Sequence, residues 1–331
     1  NGNYGLNASW TLYNGNKRLK TIQQEKLNNQ VAELDVATSE NKIQESIAQV
    51  YIQILYAAES VKVNESTLQV SIAQRDRGQE LLNAGSIAKS DFAQLEAQVS
   101  TDRYQLVTAQ ATLEDYKLQL KQLLELDGEN EMNVYLPALS DENVLLPLPT
   151  KKDVYIRALS LRPEIEASKL NVEASELGIG IAKSSYLPTI SLSAGIGTNH
   201  TSGSDFTFGE QVKNGWNNSI GLSVSVPIFN NRQTKSAVQK AKLQYETSML
   251  SLLDEQKTLY KTIEGLWLDA NSAQQRYAAA NEKLKSTQIS YELISEQFNL
   301  GMKNTIELLT EKNNLLQAQQ EQLQAKYMAI L

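Results

Sequence analysis

The chain has 331 residues, a net charge of −7, a mean hydropathy of −0.38 and no cysteine. The acidic balance argues against a nucleic-acid partner or an anionic membrane surface. The missing cysteine removes thiol chemistry and disulfides, and no run of about 18 apolar residues exists to form a transmembrane helix. With only 16 Gly, 6 Pro and 7% aromatics, the chain predicts a few long elements rather than many short ones around a large globular core.

The chain opens on a strand-like segment, as a mature or trimmed chain would. Tyr4, Leu6, Ala8, Trp10 and Leu12 alternate with small or polar residues, the pattern of a strand with one wet face. A long helix is expected from residue 16 to about 82, with Gly78 its only internal glycine. Ile43, Ile47, Val50, Ile54, Ala57, Val61, Leu68 and Ile72 follow a coiled-coil spacing. At 1.5 Å per residue this helix is roughly 100 Å long. A second stripe, Ala48, Tyr51, Leu55 and Ala58, requires neighbours on both flanks, as in a wall of helices.

Gly85 ends that helix, because glycine readily takes the left-handed conformation at a helix terminus. The stretch SIAKSDFAQ restarts it, with Ser90 expected as cap and Asp91 as an early-turn acid. The return helix is expected over 90–126. Residues 127–150 carry Gly128, Pro137, Pro147 and Pro149 and read as irregular or short-strand structure. Helix resumes at Lys151, breaks near Pro163 and continues to about Ser185.

Two more alternating segments follow, one through Ile190, Leu192, Ala194 and Ile196, the other through Ile220, Leu222, Val224 and Val226. About nine residues per strand suits a tilted barrel crossing a bilayer. The polar stretch 198–217 between them is expected to be an exposed loop. It includes the chance sequons at Asn199 and Asn217 and the single histidine, His200. The second long hairpin is expected over 231–300 and 305–331, with its tip at Gly301.

The chain is internally repeated. Gly5 and Gly221, Tyr13 and Phe229, Tyr51 and Trp267, and Gly85 and Gly301 are each 216 positions apart. No insertion intervenes, and equal lengths imply two hairpins that must reach the same level at both ends. A single histidine gives no basis for His catalysis or a multi-His metal site, and GIGIAKSS at 178–185 lacks phosphate-loop spacing. The reading is therefore not an enzyme, with no cofactor and no metal. At the tips, Gly85 and Gly301 serve locally as C-caps, and Asp91 and Glu307 as dipole-favoured acids. A functional reading makes the tips the place where a hairpin wall meets a partner or closes a pore. The first tip carries Lys89, Ser90 and Asp91; the second carries Met302, Lys303, Asn304 and Glu307.

The order of these features resembles the TolC-type outer-membrane efflux protein family, the outer membrane factors. The resemblance is carried by the duplicated strand–helix–tip–helix plan and the Gly85/Asp91 and Gly301/Glu307 spacing. It extends to ALSLRPEIEA at 158–167, YLPTISLSAGIG at 186–197 and VPIFNNR at 226–232. It implies a mainly α fold with a small β part, in which very long antiparallel hairpins form a helical barrel and strands form a transmembrane β-barrel. The implied division is 1–13 barrel strand, 14–126 first hairpin with tip 83–91, and 127–165 equatorial region. Residues 166–186 would be a helix leading to the barrel, 187–229 two barrel strands, and 230–331 a second hairpin with tip 299–307.

The resemblance further implies a homotrimer in the outer membrane of a Gram-negative bacterium, in contact with outer-membrane lipid and extending into the periplasm. Its partners would be a periplasmic adaptor (membrane fusion) protein and an inner-membrane pump. The tips Gly85, Ser90, Asp91, Gly301, Lys303 and Glu307 would dock the adaptor and open as an iris. Glu307 would sit in a constriction ring, Asp91 and Lys303 in the network holding the tips shut, and Phe298 in tip packing. Two departures stand out: Phe298 replaces a tyrosine whose hydroxyl ties tips together, and Thr310 occupies a common second acidic position. The family has four strands per chain and this sequence shows three. The expectation is therefore a truncated or partly ordered piece, lacking a strand and helix before Asn1 and unable to close a native barrel alone. The competing readings are a protein-secretion duct of the same family and, from another class, a coiled-coil scaffold or stalk.

Overall fold

The computed structural model describes residues 1–126, 132–137 and 144–331. The elements run β1 (Gly2–Asn14), α1 (Lys17–Asn83), α2 (Lys89–Leu123), α3 (Lys151–Leu161), α4 (Pro163–Ser184), β2 (Thr189–His200), α5 (Phe208–Asn214), β3 (Asn217–Ser225), α6 (Gln233–Asn299) and α7 (Thr305–Ile330). The fold is mainly helical with one small antiparallel sheet. Two compact units divide it, one holding Asn1–Thr38 with Ile156–Tyr260, the other Ser39–Tyr155 with Lys261–Leu331. Part of the expected irregular stretch, 127–131 and 138–143, lies outside the described residues.

The repeat is visible residue by residue. α1 and α6 each span 67 residues, and their starts and ends are displaced by the same 216 positions. Both are entered through two consecutive left-handed residues, Gly15 (φ 65°) and Asn16 (φ 63°) before α1, Asn231 (φ 50°) and Arg232 (φ 61°) before α6. Such angles disfavour L residues, so their recurrence at matched positions marks a required elbow. At Gly15 the requirement is also steric, since a Cβ there would lie 2.8 Å from the Ser184 carbonyl oxygen. Asn14 Oδ1 accepts from the Arg18 amide at 3.2 Å, capping α1.

In the first unit the strands form one sheet in the order β1-β2-β3, both pairs antiparallel. The register aligns Leu6 with Ile196, Ala8 with Ala194 and Trp10 with Leu192, and then Leu192 with Leu222 and Ala194 with Ile220. One face is thus apolar across all three strands. The other carries glycine, serine and asparagine, as in Gly5↔Gly197 and Ser9↔Ser193. The apolar face stays open in this chain, with Leu6 73%, Trp10 62% and Ile220 84% exposed. The expected loop over 198–217 is corrected: β2 runs to His200, β3 starts at Asn217, and α5 forms between them. Thr207 caps α5, its side chain accepting from the Glu210 amide while Glu210 accepts from Thr207 N–H at 2.9 Å. This reciprocal T-x-x-E pattern is a helix start. α4 packs in the same unit through Gln24 Nε2 to the Ala174 carbonyl at 2.7 Å and through Ser175 to Ser248 at 2.8 Å.

In the second unit the C-terminal part of α1, α2, α7 and the matching part of α6 lie side by side. Burial on α1 begins at Ile54 and Leu55 and continues through Ala57, Ala58, Leu68 and Gly78, while Ile43, expected in the stripe, is exposed. Leu55, Leu323 and Tyr327 form one buried cluster, and Val144, Tyr277 and Ala325 another. The repeat's aromatic pair secures the irregular segments. Tyr51 OH donates to the Tyr135 carbonyl at 2.8 Å, and Trp267 Nε1 donates to the Pro149 carbonyl at 3.0 Å. Lys151 adds a cation–π contact 4.8 Å above Trp267 and an ion pair to Glu264 at 3.3 Å.

Candidate functional site

Both tips are built by one device with different finishing chemistry. At the first, the Gly85 amide donates to the Leu82 carbonyl at 3.0 Å and the Ser86 amide to Leu81 at 2.8 Å. At the second, Gly301 donates to Phe298 at 2.9 Å and Met302 to Gln297 at 2.8 Å. This paired pattern closes a helix around a left-handed glycine, and φ is 71° at Gly85 and 74° at Gly301. A Cβ on either glycine would meet no atom within 4 Å, so the glycine is required by backbone conformation and not by crowding.

The restarts differ. The cap of α2 is Ala88, which corrects the expectation for Ser90; Ser90 lies inside the first turn. Alanine has no acceptor, so the work falls to Asp91, whose carboxylate accepts from the Ala88 N–H at 3.2 Å. The cap of α7 is Asn304, which accepts from the Glu307 amide at 2.9 Å while Glu307 accepts from Asn304 N–H at 3.1 Å. Lys303 braces the same carboxylate at 2.5 Å. That hydrogen bond first, and the Asn304 amide second, hold the Glu307 carboxyl below its usual range. Lys303 and Glu307 are therefore brought together, while Asp91 is engaged with its own cap.

Phe298 is 4% exposed and Thr305 1%, so the second tip is anchored just above its turn. Leu300, Met302 and Ile306 project outward, 75%, 70% and 60% exposed. Helix α2 closes on α1 at Gly78, where an added Cβ would run into Leu95 Cδ1.

Deeper between the hairpins lies a group that sequence reasoning missed. Lys312 on α7 donates to Asp102 Oδ2 on α2 and to Ser71 Oγ on α1, and the Ser71 hydroxyl donates to the same carboxylate oxygen. Gln98 Nε2 donates to the other oxygen at 2.9 Å. The three residues are 3%, 1% and 2% exposed. Burial pushes the Lys312 ammonium down from its ordinary pKa, and the hydrogen bond and charge of Asp102 oppose that shift. The available signal was a charge set in an apolar stripe: Lys312 among Leu308, Leu315 and Leu316, Asp102 below Leu95 and Val99.

Among the described residues no group of three or more His, Asp or Glu could hold a metal ion, and no helix is long and apolar enough to cross a membrane. Residues 154–330 match the family described as "Outer membrane efflux protein". The chain is 24% identical over 290 residues to the outer membrane efflux protein BepC of Brucella suis biovar 1, covering 87% of this chain and 60% of BepC. It is 24% identical over 289 residues to the outer membrane protein TolC of Escherichia coli K12, covering 85% of this chain and 57% of TolC. It thus spans less than two thirds of either relative. Among solved structures it is similar to CusC, with a TM-score of 0.84 at 19% identity over 99% of this chain and 75% of that one. It is likewise similar to VceC of Vibrio cholerae, with a TM-score of 0.82 at 17% identity over 98% of this chain and 76% of that one. With more than half its length matched by the family and its hairpin-and-strand plan shared with these channels, the chain belongs to the outer membrane efflux protein family.

Proposed function

We propose that this chain belongs to a passive exit duct in the outer membrane of a Gram-negative bacterium. The observation that carries the reading is the occurrence, in one chain, of two helical hairpins with long arms of equal length and a sheet whose apolar face is continuous and open. A lipid-facing barrel wall needs such alternation, and a helix of 67 residues is roughly 100 Å long. Apolar residues left exposed along both long helices, including Leu19, Ile22 and Val36 on α1 and Leu243, Leu250 and Leu253 on α6, are surfaces for neighbouring copies. That supports a homotrimer sharing one β-barrel and one helical tube.

Solute conduction needs no chemical step, so the duct has no catalytic residue. Its control lies at the tips. Gly85, Ser90 and Asp91 on one side and Gly301, Lys303 and Glu307 on the other form the rim that meets a periplasmic adaptor. An inner-membrane pump supplies the energy through that adaptor. The Glu307 carboxyl, held below its usual range by Lys303 and the Asn304 amide, takes its place at the mouth as an ion pair with Lys303. Phe298 holds the second tip by packing alone, since it has no hydroxyl to share with a neighbour. The test is two-part: the full-length protein in planar bilayers should give discrete conductances, and its gene should restore solute extrusion to a host lacking its own duct. Absence of both would overturn the reading.

A further inference from the structure

We propose that the Lys312–Asp102–Ser71 cluster is the fixed node of the gate, joining the two hairpins at one level and confining opening to the turns between that level and the tips. The proposal rests on the duct reading above and concerns how that duct moves.

Three observations lead there. First, the cluster spans both hairpins, since Ser71 and Asp102 belong to α1 and α2 and Lys312 to α7. Both carboxylate oxygens are engaged, Oδ2 by Lys312 and Ser71 and Oδ1 by Gln98. A small slide of α7 would unpair a buried charge before water could reach it. A large separation would also expose the surrounding Leu68, Leu95, Val99, Leu308 and Leu315.

Second, the fold does not need a charge here. The repeat places Ala318 where the first copy has Asp102, and Ala318 is 0% exposed. The counterparts of Lys312 and Ser71 are Glu96, which is exposed, and Thr287, which is part-buried. The same hairpin architecture thus packs with a buried methyl at the mirrored site. The ion pair is a one-sided addition that fixes the register of α7 against the first hairpin, the role for which buried ion pairs are best attested.

Third, the tips themselves are uncovered, while Phe298, Thr305 and Leu308 between the node and the second tip stay buried. Gly85 and Gly301 face open space, and Leu300 and Met302 are largely exposed. Movement of the turn residues themselves strips little surface from their partners.

These 331 residues contain no cysteine, so introduced thiols are alone in this stretch of the full-length protein. Tyr56 on α1 and Tyr327 on α7 meet edge to face across the hairpins, ring centroids 6.2 Å apart, on the side of the node away from the tips. Tyr56→Cys with Tyr327→Cys, joined by a short reductant-cleavable bis-thiosulfonate, should leave transport within about twofold of the uncross-linked form. A larger loss that reductant reverses would overturn the node. If the uncross-linked variant and the parent both fail to transport, the duct reading falls first and takes the node with it, a failure visible before any cross-linker is added. As a second arm, Lys312→Met should raise resting leak conductance in bilayers several-fold, and Lys312→Met with Asp102→Leu should return it to the parent's level. Equal leak in the parent and the single variant would also overturn the proposal.

Discussion

Replacing Lys312 by Met tests whether the inter-hairpin cluster is as closed as its geometry requires. Met preserves most of the apolar stem and removes the ammonium, leaving Asp102 buried at 1% exposure. Removing one partner of a buried ion pair costs about 3–5 kcal/mol. Here the carboxylate keeps two donors, Ser71 to one oxygen and Gln98 to the other, so the lower end, about 3 kcal/mol, is expected. Amide hydrogen exchange along α2 and α7 reads this directly, because protection scales with the free energy of local opening. An increase on the order of a hundredfold is expected for amides flanking Asp102 and Lys312, with little change in the strands. Adding Asp102→Leu removes the stranded charge and should restore most of the protection. A single variant whose exchange rises less than about threefold would refute the reasoning, since it would mean that water already reaches the carboxylate.

The tips give three further expectations. Gly301→Ala should weaken the second tip by about 1–2 kcal/mol because φ is 74°, and Gly301→Asn by less, measured as exchange of the Gly301 and Met302 amides. Asn304→Ala should cost about 1 kcal/mol at the start of α7, whereas Ala88→Asp should stabilise the start of α2 by a similar amount, because only the second tip already has a side-chain cap. The Glu307 carboxyl lies below its usual range because of Lys303 and the Asn304 amide. Its contribution to α7 is therefore present above the unfolded carboxyl pKa and lost as pH falls through the lower folded value. Exchange of the Glu307 amide measured from pH 6 to pH 3 should accelerate beyond the intrinsic trend, and Glu307→Gln should abolish that excess.

What was legible in the sequence was what glycine, alternation and spacing encode. Gly85 and Gly301 announce the turns because no other residue takes that backbone conformation so cheaply, and the 216-residue offset follows from them. The strands were readable because small residues alternate with apolar ones. Ser90 misled because the cap rule looks for a side-chain acceptor before the helix, and here an acid inside the first turn serves instead. The loop over 198–217 hid α5, although Thr207 and Glu210 spelled out its start. The stripe on α1 was read from Ile43, yet burial starts eleven residues later, because position along a helix does not reveal where its neighbours begin. The buried cluster escaped for a different reason. Lys312 and Asp102 lie on separate helices, and each alone resembles any charge on a solvated face. Only the packing of α7 against α1 and α2 makes them partners.

The matched 67-residue spans of α1 and α6 carry an implication for how such a chain can change over time. Deleting one residue from either helix would rotate everything beyond it by about 100° and draw it back by about 1.5 Å. Stripe, elbow and turn would all fall out of phase with the sister copy. Length here is a shared property of two distant stretches of chain, so viable variants must alter both together or neither.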